Sequence, residues 1–405
     1  MKSISILFAI LLAVPFFSNA DSWIQKADFA GNPRGGAVGF SINGKAYIGT
    51  GSAMNEGYSK TFWEYDPATD SWTQKADLAG AGRVSAAAFS IGDKGYIGTG
   101  QITDNAFTDD FWEYDPATNT WTQKASFPGV KRSIAFAFSI GSKGFLGGGA
   151  TNYTKEDFWE YDPATDIWTQ KADYGGGKVG GQAEFVIADK AYIGTGRDNI
   201  LAYRKDFWQY DPSTNLWTQK ADFPGQERAG SVGLSIDGLG YLGLGVTIDM
   251  QVLYLSDFWQ YDPVADSWFQ QTDYPDGAGD GFTGVSIDDT AYVGLGGTSG
   301  KQWWQYDPDS IATAADGEFI KQKPPAVFPN PLITSSSVSF SLEQNSIVTI
   351  ELFDLSGSKM KTLFNENSRA GQHEVKFNRE QLPSGIYLLQ LKMNQASSVI
   401  KVIIQ

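Results

Sequence analysis

A short aromatic phrase recurs along this chain and constrains its fold more than any other feature. One copy, DFWEYDPATNTWTQKASFPG, covers residues 110–129, and its Tyr-Asp-Pro core with the preceding aromatics occurs six times, at 62–67, 111–116, 158–163, 207–212, 258–263 and 303–308. A further Trp recurs at 23, 72, 121, 168, 217 and 268, so the period stays within a few residues of 49. Such a period predicts stacked copies of one supersecondary unit.

Each unit has the pattern of four short strands. Residues 37–42 and 45–51 flank Asn43-Gly44, a strong hairpin signal because both turn residues need positive φ. Residues 62–65 and 72–75 flank an Asp-Pro turn, in which proline sets φ in advance. We label these strands a, b, c and d. Four strands per 49 residues predict a β-propeller blade, with the aromatic side chains buried between blades.

The two ends of the repeat region predict how the ring closes. Residues 23–28 copy 72–77 but follow no strand c, whereas 303–308 form a strand c with no Trp after it. A six-bladed propeller whose N-terminal strand serves as strand d of the last blade resolves both anomalies and leaves no open sheet edge. We therefore predict an all-β fold, with the propeller at residues 21–322.

The remaining segments differ in composition from the repeats. Residues 1–20 have a lysine, an apolar run and Ser18-Asn19-Ala20, which is typical of a cleaved secretory signal peptide. Residues 323–326 begin Lys-Pro-Pro and are predicted to be a linker. From 327 to 405 Trp is absent and alternating apolar runs appear, which predicts a small antiparallel β-sandwich. No other stretch is apolar enough to predict a transmembrane segment.

Composition excludes several kinds of chemistry. The chain has no Cys and a single His, His373, so disulfides, thiol nucleophiles and histidine-based metal sites are not expected. The net charge of −15 argues against nucleic acid as a partner, because such binding needs a basic surface. We expect no metal and no cofactor.

The repeat resembles the kelch repeat, which has an Arg before strand a, an aromatic and glycines on strand b, Tyr-Asp on strand c and a closing Trp. The resemblance covers residues 21–322; one departure is that a residue such as Thr50 or Leu244 separates glycines that kelch strands usually place together. Kelch propellers include copper radical oxidases of the galactose oxidase type. Those need a Cys–Tyr cross-link and His ligands, so the composition excludes that activity here.

The C-terminal segment resembles the type A sorting domain of the type IX secretion system. The matching stretches are 328–331 (FPNP), 352–357 (LFDLSG), 370–373 (AGQH) and 382–387 (LPSGIY). The resemblance implies export through the periplasm to the cell surface or the medium, with the secretion machinery as a partner.

Basic residues at equivalent places in the repeat form one candidate binding set. Four arginines lie eight residues before the last Ile of strand a, and Lys178 lies near the same place in blade 4: these are Arg34, Arg83, Arg132, Arg228 and Lys178. Because strand a lines the channel of a propeller, we expect these groups to ring its mouth and bind an anion. The alternative is that they pair with Asp or with backbone carbonyls between blades.

Aromatic residues in the loops between strands b and c form a second candidate set. These loops open on the same face, and they contain Tyr58, Phe107, Tyr153, Tyr203 and Tyr254. Aromatic rings beside polar groups suit stacking on sugars or holding a peptide. Packing within the loops is the alternative for each of them.

Two hypotheses of function follow from these sets. The first is a secreted, non-catalytic propeller that binds a glycan or a protein on the Arg-lined face. The second is an enzyme resembling the six-bladed kelch sialic acid mutarotases, which use Arg and Glu. That role needs an acid beside the arginines, and Glu184 and Glu227 are the candidates.

Overall fold

A computed structural model gives the fold as two compact units, Asp21–Ser310 and Ile311–Gln405. The structure describes residues 21–53, 56–200, 202–249, 251–297, 300–308, 326–328, 332, 334–342, 345–354, 358–379, 382–393 and 396–404. The predicted signal peptide and residues 323–325 of the predicted linker lie outside these ranges. The boundary at residue 322 does too, so these three assignments stay predictions.

The first unit is a six-bladed propeller, as predicted. Each blade is a four-stranded antiparallel sheet in the order a, b, c, d from the channel outward. The strands are Val38–Ile42, Lys45–Gly49, Phe62–Asp66 and Ser71–Lys75 in blade 1; Ala87–Ile91, Lys94–Gly98, Phe111–Asp115 and Thr120–Lys124 in blade 2; Phe136–Ile140, Lys143–Gly147, Phe158–Asp162 and Ile167–Gln170 in blade 3; Ala183–Ile187, Lys190–Gly194, Phe207–Asp211 and Leu216–Gln219 in blade 4; Val232–Ile236, Leu239–Gly243, Phe258–Asp262 and Ser267–Gln271 in blade 5.

Blade 6 is completed by the N-terminal strand, which confirms the predicted closure. Its strands are Thr283–Ile287, Thr290–Gly294, Trp303–Asp307 and Ser22–Gln25. In the closing pair Ser22 lies opposite Asp307 and Gln25 opposite Trp304. The loops contain further short strands, at Arg34–Gly35, Ser52–Ala53, Gly57–Tyr58, Gln101–Thr103, Ala106–Phe107, Val246–Asp249 and Gln251–Tyr254.

A Trp and an acidic or amide side chain connect each blade to the one before it by hydrogen bonds, and we call this set of contacts the clasp. Trp72 Nε1 donates to Ala27 O at 3.0 Å, and Asp70 Oδ1 accepts from Ala27 N at 3.0 Å and from Tyr65 OH at 2.7 Å. Asn119, Asp166, Asn215 and Asp266 repeat this clasp with the Trp two residues later. At the closure Asp21 and Trp23 take these roles, with Tyr306 OH 3.0 Å from Asp21 Oδ2 and Trp23 Nε1 3.1 Å from Thr272 O.

The aromatic phrase packs neighbouring blades together. Phe62 of blade 1 lies edge-on to Tyr114 and Trp121 of blade 2, at centroid distances of 4.8 and 4.9 Å. The same arrangement recurs for Phe111, Phe158, Phe207 and Phe258 against the following blade. Edge-to-face pairs contribute about 0.5–1.5 kcal/mol each beyond burial. Repetition of the phrase therefore stabilises the ring at each interface.

A collar of peptide groups surrounds one mouth of the channel. Its six residues are equivalent in the repeat, line the mouth and have positive φ: Gly36, Ser85, Ile134, Gly181, Gly230 and Gly281. Their peptide groups are linked from blade to blade, for example Ser85 N to Gly36 O and Ile134 N to Ser85 O, both at 2.9 Å. Glycine suits this position because φ values near 50–73° cost little without a Cβ. The collar fixes the width of the mouth.

The second unit is a β-sandwich, also as predicted. One sheet has the order Ala326–Phe328, Ser335–Leu342, Gly371–Asn378. The other has the order Lys359–Ser368, Ser346–Phe353, Gly385–Met393, Ala396–Ile404. Its core includes Val338, Ile350, Leu352, Leu389 and Val402, all fully buried.

Candidate ligand-binding site

A funnel opens where the collar surrounds the channel. Its volume is about 630 Å³, which is the size of a small-molecule site. The collar forms the floor, and the loops between strands b and c of blades 1, 4 and 5 contribute Ser52, Arg197, Tyr203 and Val246 to the wall. The repeat thus places loop side chains around a floor made mostly of glycine.

Arg197 is the more accessible of the two arginines in the described lining of this funnel, beside the buried Arg34. It follows strand b of blade 4, and its backbone pairs with Gly180 and with Tyr203. Its side chain is half-buried in the funnel wall, and no described residue forms a hydrogen bond or ion pair with the guanidinium. Tyr203 lies beside it, and the exposed Asp280 lies elsewhere on the wall. The funnel therefore combines a guanidinium, a phenol ring and a carboxylate.

Three of the four predicted arginines are buried inside the blades instead. Arg83, Arg132 and Arg228 have no exposed surface. Each forms a bidentate pair with the Asp before strand c, with distances of 2.6 and 2.8 Å to Asp110, 2.8 and 2.8 Å to Asp157, and 2.6 and 2.7 Å to Asp257.

Backbone carbonyls accept the other hydrogen bonds of these guanidinium groups. Arg132 donates to Val130 O and Gly148 O, both at 2.8 Å, so four of its five N–H groups are engaged. Burial alone would raise the pKa of Asp157, but Arg132 holds it below the ordinary value. Sequence analysis expected these arginines to bind an anion at the mouth, with pairing to Asp or to backbone carbonyls as the alternative, and the contacts are those of the alternative. The structure corrects that expectation, because ion pairing within the blade consumes the donors.

Arg34 and Lys178 differ from these three residues. Arg34 is 3% exposed and borders the funnel, but Thr61 stands where blades 2 to 5 have Asp. Lys178 is an exposed side chain 3.7 Å from Glu156, outside the funnel lining. Val179 takes the buried arginine position of blade 4, and Arg204 supplies the cation for Asp206 at 3.1 Å.

Among the five predicted loop aromatics, Tyr203 lines the described part of the funnel. It is 9% exposed. Tyr58 donates to Asp104 at 3.2 Å, and Phe107 is half-buried in its hairpin. Tyr153 and Tyr254 are exposed, so their rings remain accessible on the loops around the funnel.

Glu184 lies deeper, in the channel below the collar. This second cavity shares Ile134 and Gly181 with the funnel, and its wall is built from strand a of every blade. Glu184 is the one charged residue in its described lining, and Ala137 N approaches the carboxylate at 3.5 Å. Enclosure by the channel wall raises the pKa of Glu184 to about 8, against which this single weak hydrogen bond does little.

Glu227, the other predicted acid, lies away from the channel. It is exposed and lines a shallow outer groove with Arg204, Asp206 and Trp208. The structure therefore places Glu184, and not Glu227, in the channel beneath the funnel.

Sequence analysis did not single out two residues of the funnel wall, Arg197 and Asp280, because both lie where the repeat is irregular.

Comparison with known proteins supports both units. Residues 326–405 match the family described as "Secretion system C-terminal sorting domain". The fold is similar to a solved structure titled "Structure of YjhT", with a TM-score of 0.61, 16% sequence identity, and coverage of 69% of this chain and 96% of that chain. No curated protein matches the chain.

These matches establish how the protein is exported. It is a propeller protein handled by the type IX secretion system and delivered to the cell surface or outside the cell. In the described residues no helix is long and apolar enough to cross a membrane.

Proposed function

We propose that the protein is a non-catalytic binding propeller whose funnel takes an acidic sugar at the end of a glycan. The observation that carries this proposal is the guanidinium of Arg197, which lies beside Tyr203 in a funnel of about 630 Å³ and has no partner among the described residues. A carboxylate is the natural partner for such a guanidinium, because the two form bidentate hydrogen bonds.

The other wall residues suit the body of a sugar. Tyr203 offers part of an aromatic ring, and Asp280 is an exposed acceptor for hydroxyl groups. Glycines of the collar let the ligand approach the backbone closely. The volume fits one or two sugar rings better than a folded protein surface, which is why a glycan is favoured over a protein ligand.

Binding of N-acetylneuraminic acid and glucuronic acid to the secreted protein tests this proposal, with the neutral sugars galactose and glucose as comparison. Isothermal titration should show that Arg197→Gln weakens binding of an acidic sugar by at least about tenfold, the effect of losing one charge-assisted contact. Lys178→Ala is the matched control, since this lysine is a cation outside the funnel. Equal affinity of Arg197→Gln and wild type for an acidic sugar would refute the assignment.

A second candidate is catalysis on the same ligand, and Glu184 favours it. A carboxyl group with a pKa of about 8, in a channel that adjoins the funnel, could give or take a proton near neutral pH. The activity would be anomeric interconversion, as in the sialic acid mutarotases that the repeat resembles. Exchange between anomers, followed by NMR, should then be accelerated by wild type and lost in Glu184→Gln, whereas the binding propeller leaves the exchange rate unchanged.

A further inference from the structure

Blade 1 departs from a buried cluster that three other blades share. In blade 2, Asp110 Oδ1 accepts hydrogen bonds from Arg83 and Thr108, while Oδ2 accepts from Arg83 Nη2 at 2.8 Å and from Trp112 Nε1 at 2.7 Å. Blades 3 and 5 repeat the contacts of both carboxylate oxygens with Arg and Trp. In blade 1 the residue at this position is Thr61.

A hydroxyl group replaces only the first of these two oxygens. Ser59 Oγ accepts from Arg34 Nη1 at 3.2 Å and lies 3.0 Å from Thr61 Oγ1. It therefore takes the place of Oδ1. No described side chain in blade 1 takes the place of Oδ2.

Two donors in blade 1 consequently lack the acceptor that Asp110 Oδ2 provides in blade 2. Trp63 Nε1 is buried and has no hydrogen-bond partner among the described residues, although the equivalent indole of blades 2 to 6 donates to the side chain two residues earlier. Arg34 donates only to neutral oxygens, those of Asn32, Thr50 and Ser59. Glu56 and Asp77 act on this cation without a hydrogen bond, so no described carboxylate accepts from its Nη2 as Asp110 does from Arg83.

Both donors lie against the ring of Phe29, at the position that Asp110 Oδ2 fills in blade 2, and we call this position the blade 1 pocket. The Arg34 guanidinium lies over the ring of Phe29 at 5.0 Å, and Trp63 packs edge-on against that ring at 5.6 Å. Gly31 covers the indole nitrogen, since a Cβ there would lie 3.0 Å from Trp63 Nε1. Burial lowers the pKa of Arg34, against the opposing charges of Glu56 and Asp77.

We propose that this pocket in blade 1 binds a small monovalent anion, a halide or the oxygen of a small carboxylate such as formate. The anion would accept from Arg34 Nη2 and Trp63 Nε1, as Asp110 Oδ2 does from the equivalent donors in blade 2. The site depends neither on the funnel ligand nor on the proposed function. Its role would be to stabilise the first blade in a chloride-containing medium.

The test compares the thermal stability of full-length wild type with that of Thr61→Asp, which restores the carboxylate. Tryptophan fluorescence is recorded in sodium chloride and in sodium gluconate at equal ionic strength, since gluconate is a far larger anion than chloride. The Tm of wild type should rise by roughly 2–4 °C when chloride is about tenfold above its Kd, and that of Thr61→Asp should not respond. Equal responses of the two proteins would overturn the proposal.

A second variant and a direct probe make the result independent of folding effects. Asp110→Thr creates a second such pocket in blade 2 and should increase the chloride response. Bromide soaked into crystals of wild type should give an anomalous peak between Arg34 Nη2 and Trp63 Nε1 that Thr61→Asp lacks. Absence of the peak from wild type at high bromide would also refute the site, whether or not Asp110→Thr folds.

Discussion

Replacing Glu184 with Gln should make the propeller more stable at alkaline pH. The carboxyl group has its raised pKa of about 8 in the folded protein and its ordinary value of 4.5 in the unfolded chain. Between these two values the unfolded chain releases the proton and the folded protein keeps it. The free energy of unfolding of wild type therefore falls as pH rises through this window, and it is unaffected by this group below about pH 4.

The size of the effect follows from the same two values. The slope is about 1.4 kcal/mol per pH unit, so the loss from pH 4.5 to pH 8 is at most about 5 kcal/mol. Glu184 is half-buried, with one side toward the water of the channel, so we expect about 2–3 kcal/mol. Glu184→Gln removes the titration and keeps the side-chain volume. Its advantage over wild type should grow from pH 5 to pH 8 and then level off.

Tryptophan fluorescence suits this measurement because all 13 Trp residues lie between positions 23 and 304. Urea unfolding at pH 5, 6, 7, 8 and 9 would give the difference curve for the propeller alone, even in the full-length protein. Glu227→Gln is the control, an exposed glutamate in the same unit whose effect should be small at every pH. A flat difference curve for Glu184→Gln would show that the channel does not hold this carboxyl group neutral.

Two further predictions concern the frame of the propeller. Asp157→Asn should lower the free energy of unfolding by about 3 kcal/mol or more, because it leaves Arg132 buried without its counter-charge. The solvent-accessible pair of Asp115 with Lys94 is the comparison, and Asp115→Asn should cost far less than Asp157→Asn; equal losses would contradict the buried cluster. Asp70→Ala should cost about 1–2 kcal/mol, since it removes the acceptor of the buried Tyr65 hydroxyl, whereas Asp21→Ala should cost less, because Gln271 Oε1 still accepts from Tyr306. A loss from Asp21→Ala as large as that from Asp70→Ala would contradict this difference. Urea unfolding followed by tryptophan fluorescence measures all four variants.

The repeat made the fold readable from sequence. Four strands per unit, six units and the closing N-terminal strand all followed from the spacing of Trp and Tyr-Asp-Pro, because each copy packs the same aromatic residues against its neighbours. The clasp was also present in the sequence, as an acid or amide two residues before each outer Trp. Its partner on the previous blade could not be inferred, since the pairing depends on the angle between the blades.

The site was less accessible to sequence reasoning, for a physical reason. Arg83, Arg132 and Arg228 were correctly grouped, and pairing with Asp was the stated alternative, but the sequence did not show that the Asp before strand c is the partner of each. Where Asp is missing in blade 1, the same Arg has a different environment. Arg197 belongs to a loop outside the repeat, so no pattern marked it. Glu184 was one of two acids proposed to lie beside the arginines, and strand a places it in the channel.

The closing strand also decides how the propeller comes apart. A linear array of repeats frays from its free ends, because a terminal repeat has only one neighbour to hold it. In this ring every blade has two neighbours, and the strand Ser22–Gln25 joins the last blade to the start of the chain. Because these four residues close the ring, we expect the propeller to unfold in one cooperative step, whereas an open stack of the same blades could unfold one blade at a time.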